Sequence, residues 1–257
     1  MTELARALSK LGVCSRTQAA AWIEGRRVRV NGVLRHDPRG PVDLERDRIE
    51  VDGQPVRGAT RVYLMLNKPR GLVTTASDEQ GRTTVFECLA GKGLPFVAPV
   101  GRLDKASEGL LLFTNDSAWA ARITAPESDI EKTYHVQVDC VVDDALVRRI
   151  RDGVPAEGEL LTARDVTVLR RGEKRSWLAI VLDEGRNRHI RRLLAALGID
   201  VVRLVRVAIG PLPLGSLPKG ALRPLTPEEV DRLAQRASPP APAARTRCTG
   251  RRRPSPR

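Results

Sequence analysis

Val100-Gly101-Arg102-Leu103-Asp104-Lys105-Ala106-Ser107-Glu108-Gly109-Leu110-Leu111-Leu112-Phe113-Thr114-Asn115-Asp116 begins as a charged, glycine-flanked loop and becomes an unbroken apolar run that stops at Asn-Asp. A short apolar run bounded by turn residues reads as a strand buried on both faces. Asp104 therefore stands near the hinge between loop and strand. By itself such an Asp caps a turn with its own side chain, so its meaning depends on what surrounds it.

Upstream, Tyr63-Leu64-Met65-Leu66 opens a strand, and mixed strands and helices continue to about residue 236. Residues 61–236 are thus expected to form one large domain, preceded by a short linker from Pro55 to Thr60. Residues 1–57 predict a separate helix-helix-hairpin unit. Leu4, Leu8 and Leu11 share one helical face, and Ser15-Arg16-Thr17-Gln18 is a capping-box start for a helix carrying Ala19, Trp22 and Ile23, stopped by Gly25. Arg27-Val28-Arg29-Val30 alternates as a strand does, Asn31-Gly32 is a strong hairpin turn signal, and Arg48-Ile49-Glu50-Val51 precedes a second turn at Asp52-Gly53. At the other end, residues 237–257 hold six arginines, no acid and no periodicity, which predicts a disordered basic Arg/Pro-rich tail.

The formal net charge is +13, of which +7 remains without the tail, so the folded part is basic and calls for a polyanionic partner. No stretch approaches the roughly 18 apolar residues of a membrane span, and the N-terminus lacks a signal peptide's apolar block, so the expectation is a cytoplasmic protein with no membrane partner. The cysteines at 14, 88, 140 and 248 are scattered, without ligand spacing to histidine, and read as free thiols; no metal is expected. No phosphate-cradling glycine loop is present, and Gly91-Lys92-Gly93 fits a turn better. His36, His135 and His189 are dispersed and read as surface or strand histidines. Aromatic residues make up 3% of the chain, too few for a platform of stacked rings, so base recognition is expected in one pocket.

From Leu8 through Gly32 the chain carries L-x-x-x-G-x-x-S-R-x-x-A and V-x-V-N-G, and in this it resembles the S4 RNA-binding domain, with Cys14 preceding Ser15-Arg16. The resemblance implies that Lys10, Arg16, Arg26, Arg27 and Arg29 face an RNA backbone; without it they would read as a solvated face. The Asp104 stretch, with Asn67-Lys68-Pro69-Arg70-Gly71, Glu131-Lys132-Thr133-Tyr134-His135-Val136 and the segment Glu184 to Leu193, resembles the RsuA-type ribosomal RNA pseudouridine synthases, which often carry an S4 domain. Departures from that pattern are His189 where Gln is usual, Leu193 where Met is common, and Ser117 in place of Gly. None removes a reactive group.

The resemblance implies an α+β architecture with a mixed, largely antiparallel sheet and a cleft between the Asp104 loop and the Arg186 segment. It implies Asp104 as catalytic carboxylate, Tyr134 as the ring stacked on the uracil, and Arg186 as the cation paired with Asp104. Arg102 would touch a phosphate or help extrude the base. Arg188, Arg191 and Arg192 lie in an apparent helix start with Ile190, Leu193 and Leu194 inward, so their charges are expected to face solvent or RNA. Conversion of uridine to pseudouridine is an isomerisation needing no cofactor. The expected substrate is ribosomal RNA or a ribosomal assembly intermediate, the Ser107-Glu108-Gly109 variant points to the large subunit (23S rRNA), and a monomer is expected. Two other readings compete: a noncatalytic ribosome-binding protein would be expected to lack Asp104, Tyr134 or Arg186, and an S4-fused methyltransferase would need a glycine-rich cofactor loop after a strand.

Overall fold

The computed structural model describes residues 1–76 and 78–237. The expected basic tail lies outside the described residues, except for Ala237, which caps the last helix and is buried.

The first unit is built as its local signals dictate. β1 (Thr2–Glu3) leads into α1 (Leu4–Lys10), and Leu4, Ala7 and Leu8 turn inward. In α2 (Arg16–Glu24) the capping box is complete, with the Gln18 N–H donating to Ser15 Oγ at 3.1 Å and the Ser15 N–H to Gln18 Oε1 at 3.0 Å. β2 (Val28–Val30) and β3 (Val33–Leu34) are joined by Asn31 and Gly32, whose φ values of 52° and 78° are the two positive angles of a primed hairpin turn. β4 (Pro41–Val42) pairs with β1, while β5 (Ile49–Val51) joins β2 to β6 (Gln54–Pro55). Alternation puts Val28 and Val30 on the helices and leaves Arg27 and Arg29 outside.

The larger region is a nine-stranded mixed sheet with helices on it. Its strands are β7 (Tyr63–Lys68), β8 (Ala98–Val100), β9 (Glu108–Thr114), β10 (Lys132–Val138), β13 (Asp165–Arg171), β14 (Ser176–Leu182), β15 (Val201–Ile209), β16 (Leu212–Pro213) and β17 (Leu222–Pro224). A hairpin of β11 (Val154–Ala156) and β12 (Glu159–Leu161) stands apart from it. The helices are α3 (Ser117–Thr124), α4 (Asp144–Asp152), α5 (His189–Ala195) and α6 (Pro227–Arg236). The main order is β13-β14-β10-β15-β9-β7-β17. Every pairing is antiparallel except β9 with β15, so the expected mixed, largely antiparallel α+β architecture is what forms.

β9 is the middle of this arrangement. Leu110 and Leu112 pack with Trp119 of α3 and Leu233 of α6, while Leu111 and Phe113 pack on the opposite face with Val85 and Leu103. Burial on both faces accounts for its unbroken apolar run. The parallel joint is short, Val205 opposite Glu108 and Arg206 opposite Gly109. It requires glycine: a Cβ at 109 would lie 2.2 Å from the Arg206 carbonyl oxygen, and φ there is +103°. The Asp104 loop enters the sheet at this joint.

Asn115 and Asp116 tie the two regions together. The Asn115 carboxamide accepts from the Val62 N–H at 2.9 Å and donates to the Thr60 carbonyl at 2.8 Å, and Gly12, at the end of α1, packs against it. Asp116 caps α3 through the Ala118 and Trp119 N–H groups, accepts from the Tyr63 hydroxyl at 2.9 Å and pairs with Arg61 at 2.7 Å. Burial opposes ionisation of Asp116, but these donors outweigh it and hold the carboxyl below its usual range. Burial and the neighbouring carboxylate push the Tyr63 phenol up to about 12.

Candidate active site

The loop between β8 and β9 is held by its main chain, which leaves its acidic side chain unengaged. Lys68, at the end of β7, is fully buried and donates from Nζ to the carbonyls of Asp104 (3.1 Å), Ser107 (2.8 Å) and Pro69 (3.1 Å). Thr74 Oγ1 donates to the Leu103 carbonyl at 2.7 Å and accepts from the Leu103 N–H at 3.3 Å, while Leu103 is buried as a plug. The Ser107 N–H closes the turn onto the Asp104 carbonyl at 3.0 Å. At the strand's start Glu108 is buried and paired with Arg203 (2.9 Å) and Lys219 (2.6 Å). Burial works against its charge, but hydrogen bonds from those two cations keep its carboxyl below the usual range. Burial drives the Lys68 ammonium down to about 8, against the attraction of Asp104 and Glu108.

Asp104 is half-buried and lies on the wall of a cavity of about 810 Å³. The sheet supplies one side through Lys132 and Tyr134 of β10 with Leu204 and Arg206 of β15. The start of α5 and the end of α3 supply the others. A polar groove of about 430 Å³, lined by Asp78, Arg82 and Asn187 among others, lies beside it and shares Arg102, Leu103 and Asp104 with the cavity. Among the described residues the Asp104 carboxylate accepts no hydrogen bond, and no group of three or more His, Cys, Asp or Glu gathers to hold a metal. A carboxylate, a tyrosine and several cations around a chamber able to hold a base and its sugar suit chemistry on a nucleotide drawn out of its stack.

Residues 62–196 match the family described as RNA pseudouridylate synthase, and residues 4–49 match the S4 domain. The chain belongs to the RNA pseudouridylate synthase family. It is similar to an RNA pseudouridine synthase of Aquifex aeolicus (38% identity, 88% of this chain and 91% of the relative). Another relative is the ribosomal large subunit pseudouridine synthase B of Bacillus subtilis (35% identity, 91% and 96%). A crystal structure of a pseudouridylate synthase superposes with a TM-score of 0.61 at 31% identity, covering 91% of this chain and all of that one. The synthase is therefore an isomerase acting on RNA, with an N-terminal S4 domain. Among its described residues no helix is long and apolar enough to cross a membrane.

The fold brings Asp104, Tyr134, Arg102, Arg186, Arg188 and Arg191 to one cavity. Three expectations about the cations need correction. Arg186 does not pair with Asp104; its guanidinium is held by Glu184 and Glu159, each at 2.8 Å, which draw it away. The arginine of this segment that reaches the Asp104 loop is Arg191, half-buried, whose Nη2 donates to the Ala106 carbonyl at 3.2 Å. Its burial and the charge of Arg188 lower its pKa, and Asp104 opposes them. Arg192 does not stand free toward solvent, because the tip of the β11–β12 hairpin covers it with Glu157 (2.7 Å) and Glu159 (3.0 Å). Arg188 is exposed, and among the described residues it has no acidic partner.

His189 also differs from expectation. It is buried in the cavity wall, with Nε2 2.9 Å from the Thr162 carbonyl, and burial lowers its pKa below the ordinary value. In the S4 domain Lys10, Arg16, Arg26, Arg27 and Arg29 are all exposed. Arg27 is bound to Asp52 at 2.5 Å and lies over the Trp22 ring at 5.4 Å, and Arg29 donates to the Gly32 carbonyl at 2.9 Å. Sequence reasoning passed over Lys68 and Arg206. A lysine inside the apolar strand Tyr63–Lys68 was the available signal for the first, because buried lysine persists where it has partners.

Proposed function

We propose that the synthase converts one or a few uridines of ribosomal RNA to pseudouridine, in the large-subunit RNA, with Asp104 as the catalytic carboxylate. The observation carrying this is the Asp104 loop: it is anchored through main-chain carbonyls while its free carboxylate shares one chamber with Tyr134. A base extruded into the chamber would stack on Tyr134, with C1′ of its sugar near Asp104, which acts without a cofactor on the glycosidic bond. The name of the Bacillus subtilis relative supports the large-subunit choice, and such a substrate places the work in the cytoplasm. The protein acts as a monomer. Arg102, between the two adjoining cavities, would meet the phosphate of the extruded nucleotide, and Arg188 the flanking backbone.

Ribosomal RNA transcribed with tritium at uridine C5 tests this, because forming the new C–C bond expels that hydrogen. Release is expected from large-subunit RNA or its particles and not from small-subunit RNA. No release from either subunit's RNA or particles would sink the reading.

The S4 domain supplies charge-based affinity. Arg16→Ala is expected to weaken RNA binding several-fold and to make log Kd against log salt shallower by about one unit, with kcat unchanged. Arg27→Ala should act less, since Asp52 already neutralises Arg27 in the free protein. Filter binding across a salt series checks both; unchanged slopes would remove the S4 arginines from the interface.

A further inference from the structure

Arg206 is the most deeply buried of the charged groups in the cavity that the preceding account leaves without a task. It is 6% exposed, and its Nε donates to the Leu110 carbonyl at 2.8 Å. Among the described residues neither terminal nitrogen of its guanidinium has an acceptor, and Nη2 is buried without one. No carboxylate among the described residues lies within ion-pair distance of it. A buried, unpaired guanidinium costs several kcal/mol and normally has a partner. Here the partner is missing while the side chain lines the chamber that holds Asp104 and Tyr134.

The backbone leaves little freedom in where this charge sits. Arg206 stands opposite Tyr134 on one side and opposite Gly109 on the other, at the tight β9–β15 joint. Lys132 shares the cavity, and among the described residues its ammonium donates only to the Asp183 carbonyl, at 3.3 Å. Burial and the charge of Arg206 both lower the Lys132 pKa; Asp129 and Asp183 line the cavity too and oppose them. Ser107, 1% exposed in the Asp104 loop, also lines the cavity, and among the described residues its hydroxyl has no partner. The chamber thus holds unused donors and the positive charges of Arg206 and Lys132, together with the carboxylates of Asp104, Asp129 and Asp183.

We propose that Arg206 is a catalytic residue that binds a carbonyl oxygen of the target uracil and stabilises the negative charge the base acquires when its glycosidic bond breaks. This rests on the isomerase reading of the Asp104 site. When C1′–N1 breaks, its electron pair leaves with the base and is shared by N1 and the two carbonyl oxygens. After the base turns, C5 attacks C1′, the C5 hydrogen leaves as a proton and N1 takes up a proton, so no atom or electron is gained or lost. A guanidinium that is itself buried and fixed by the Leu110 carbonyl favours the charged base over neutral uracil, so its effect falls on the chemical step rather than on binding. The same cation also keeps the detached base from escaping while it turns.

The test compares two RNAs, one with uridine and one with 5-fluorouridine at the target position, under single-turnover conditions with enzyme in excess. Pseudouridine formation or fluorouridine loss is read after nuclease digestion. 5-Fluorouracil is the more acidic base and departs with less help. Arg206→Gln is expected to slow the uridine reaction about 10²-fold and the fluorouridine reaction at least threefold less, with RNA affinity within threefold of wild type. An equal loss on both RNAs would overturn the proposal and make Arg206 a structural group. A loss confined to affinity, with a shallower salt dependence, would assign it to a phosphate and overturn the proposal as well. If Arg206→Gln does not melt cooperatively, Arg206→Lys is read by the same ratio and judged by the same outcomes. Failure of the wild type on both RNAs would strike the isomerase reading itself.

Discussion

Asp104→Asn is expected to bring tritium release from labelled ribosomal RNA to background, a loss of roughly 10⁴-fold or more, while the protein still folds and binds RNA. The separation follows from how the loop is built. Its anchors are the Asp104 and Ser107 carbonyls on Lys68, the Ser107 N–H on the Asp104 carbonyl, and the two bonds between Thr74 and Leu103. None uses the carboxylate, so an amide of the same shape leaves them intact. What the substitution removes is the charge that, on the proposed function, engages C1′ or its departing bond. The melting temperature should stay within a degree or two, and RNA affinity within threefold. Retention of more than about a hundredth of wild-type turnover would move catalysis to another group; Tyr134 is the first to examine.

Lys68→Met is expected to have the second large effect, and on two readouts at once. Methionine fills the space but leaves the carbonyls of Pro69, Asp104 and Ser107 without their buried donor. Each unsatisfied carbonyl costs about 1–3 kcal/mol, partly offset because a desolvated ammonium is no longer buried, for a net loss of about 2 kcal/mol. That corresponds to a drop of roughly 4–8 °C in melting temperature for a chain of this size. Displacing the Asp104 loop by even about 1 Å should lower kcat roughly 10²-fold. A variant with wild-type kcat and melting temperature would show that the loop holds itself.

The same lysine gives the activity a pH dependence. With its pKa at about 8, the Lys68 amine loses its proton as pH rises through 8 and keeps two N–H donors for three carbonyls. Turnover is expected to fall along a limb centred near pH 8. Stability behaves oppositely: the folded pKa lies below the unfolded value of about 10.4, so Lys68's contribution is greatest above pH 10.4 and is lost as pH falls through 8. Lys68→Arg should move the activity limb upward, because a guanidinium stays charged. A limb unmoved by that change would belong to another group.

Much of the molecule was legible in the residues alone because the deciding interactions are local. Ser15 with Gln18, Asn31 with Gly32, and the apolar run after Gly109 each specify their conformation within a few residues: a cap needs a side chain three positions from an N–H, a primed turn needs two positive φ angles, and a strand covered on both faces needs no polar alternation. The motif string around Asp104, with Tyr134 and the α5 segment in order, likewise pointed to the family before any coordinate.

The cations were decided by the tertiary structure. Arg186, Arg191 and Arg192 lie within seven residues of one another on long side chains, and sequence spacing does not say which carboxylate each one meets. The β11–β12 hairpin brings Glu157 and Glu159 over two of them, and the turn of α5 aims the third at the Asp104 loop. The burial of Lys68, His189 and Arg206 is of the same kind. For Lys68 and Arg206 it arises around the short parallel joint at Gly109, and for His189 where α5 packs by Thr162; desolvation there, rather than residue type, determines what each charge can do.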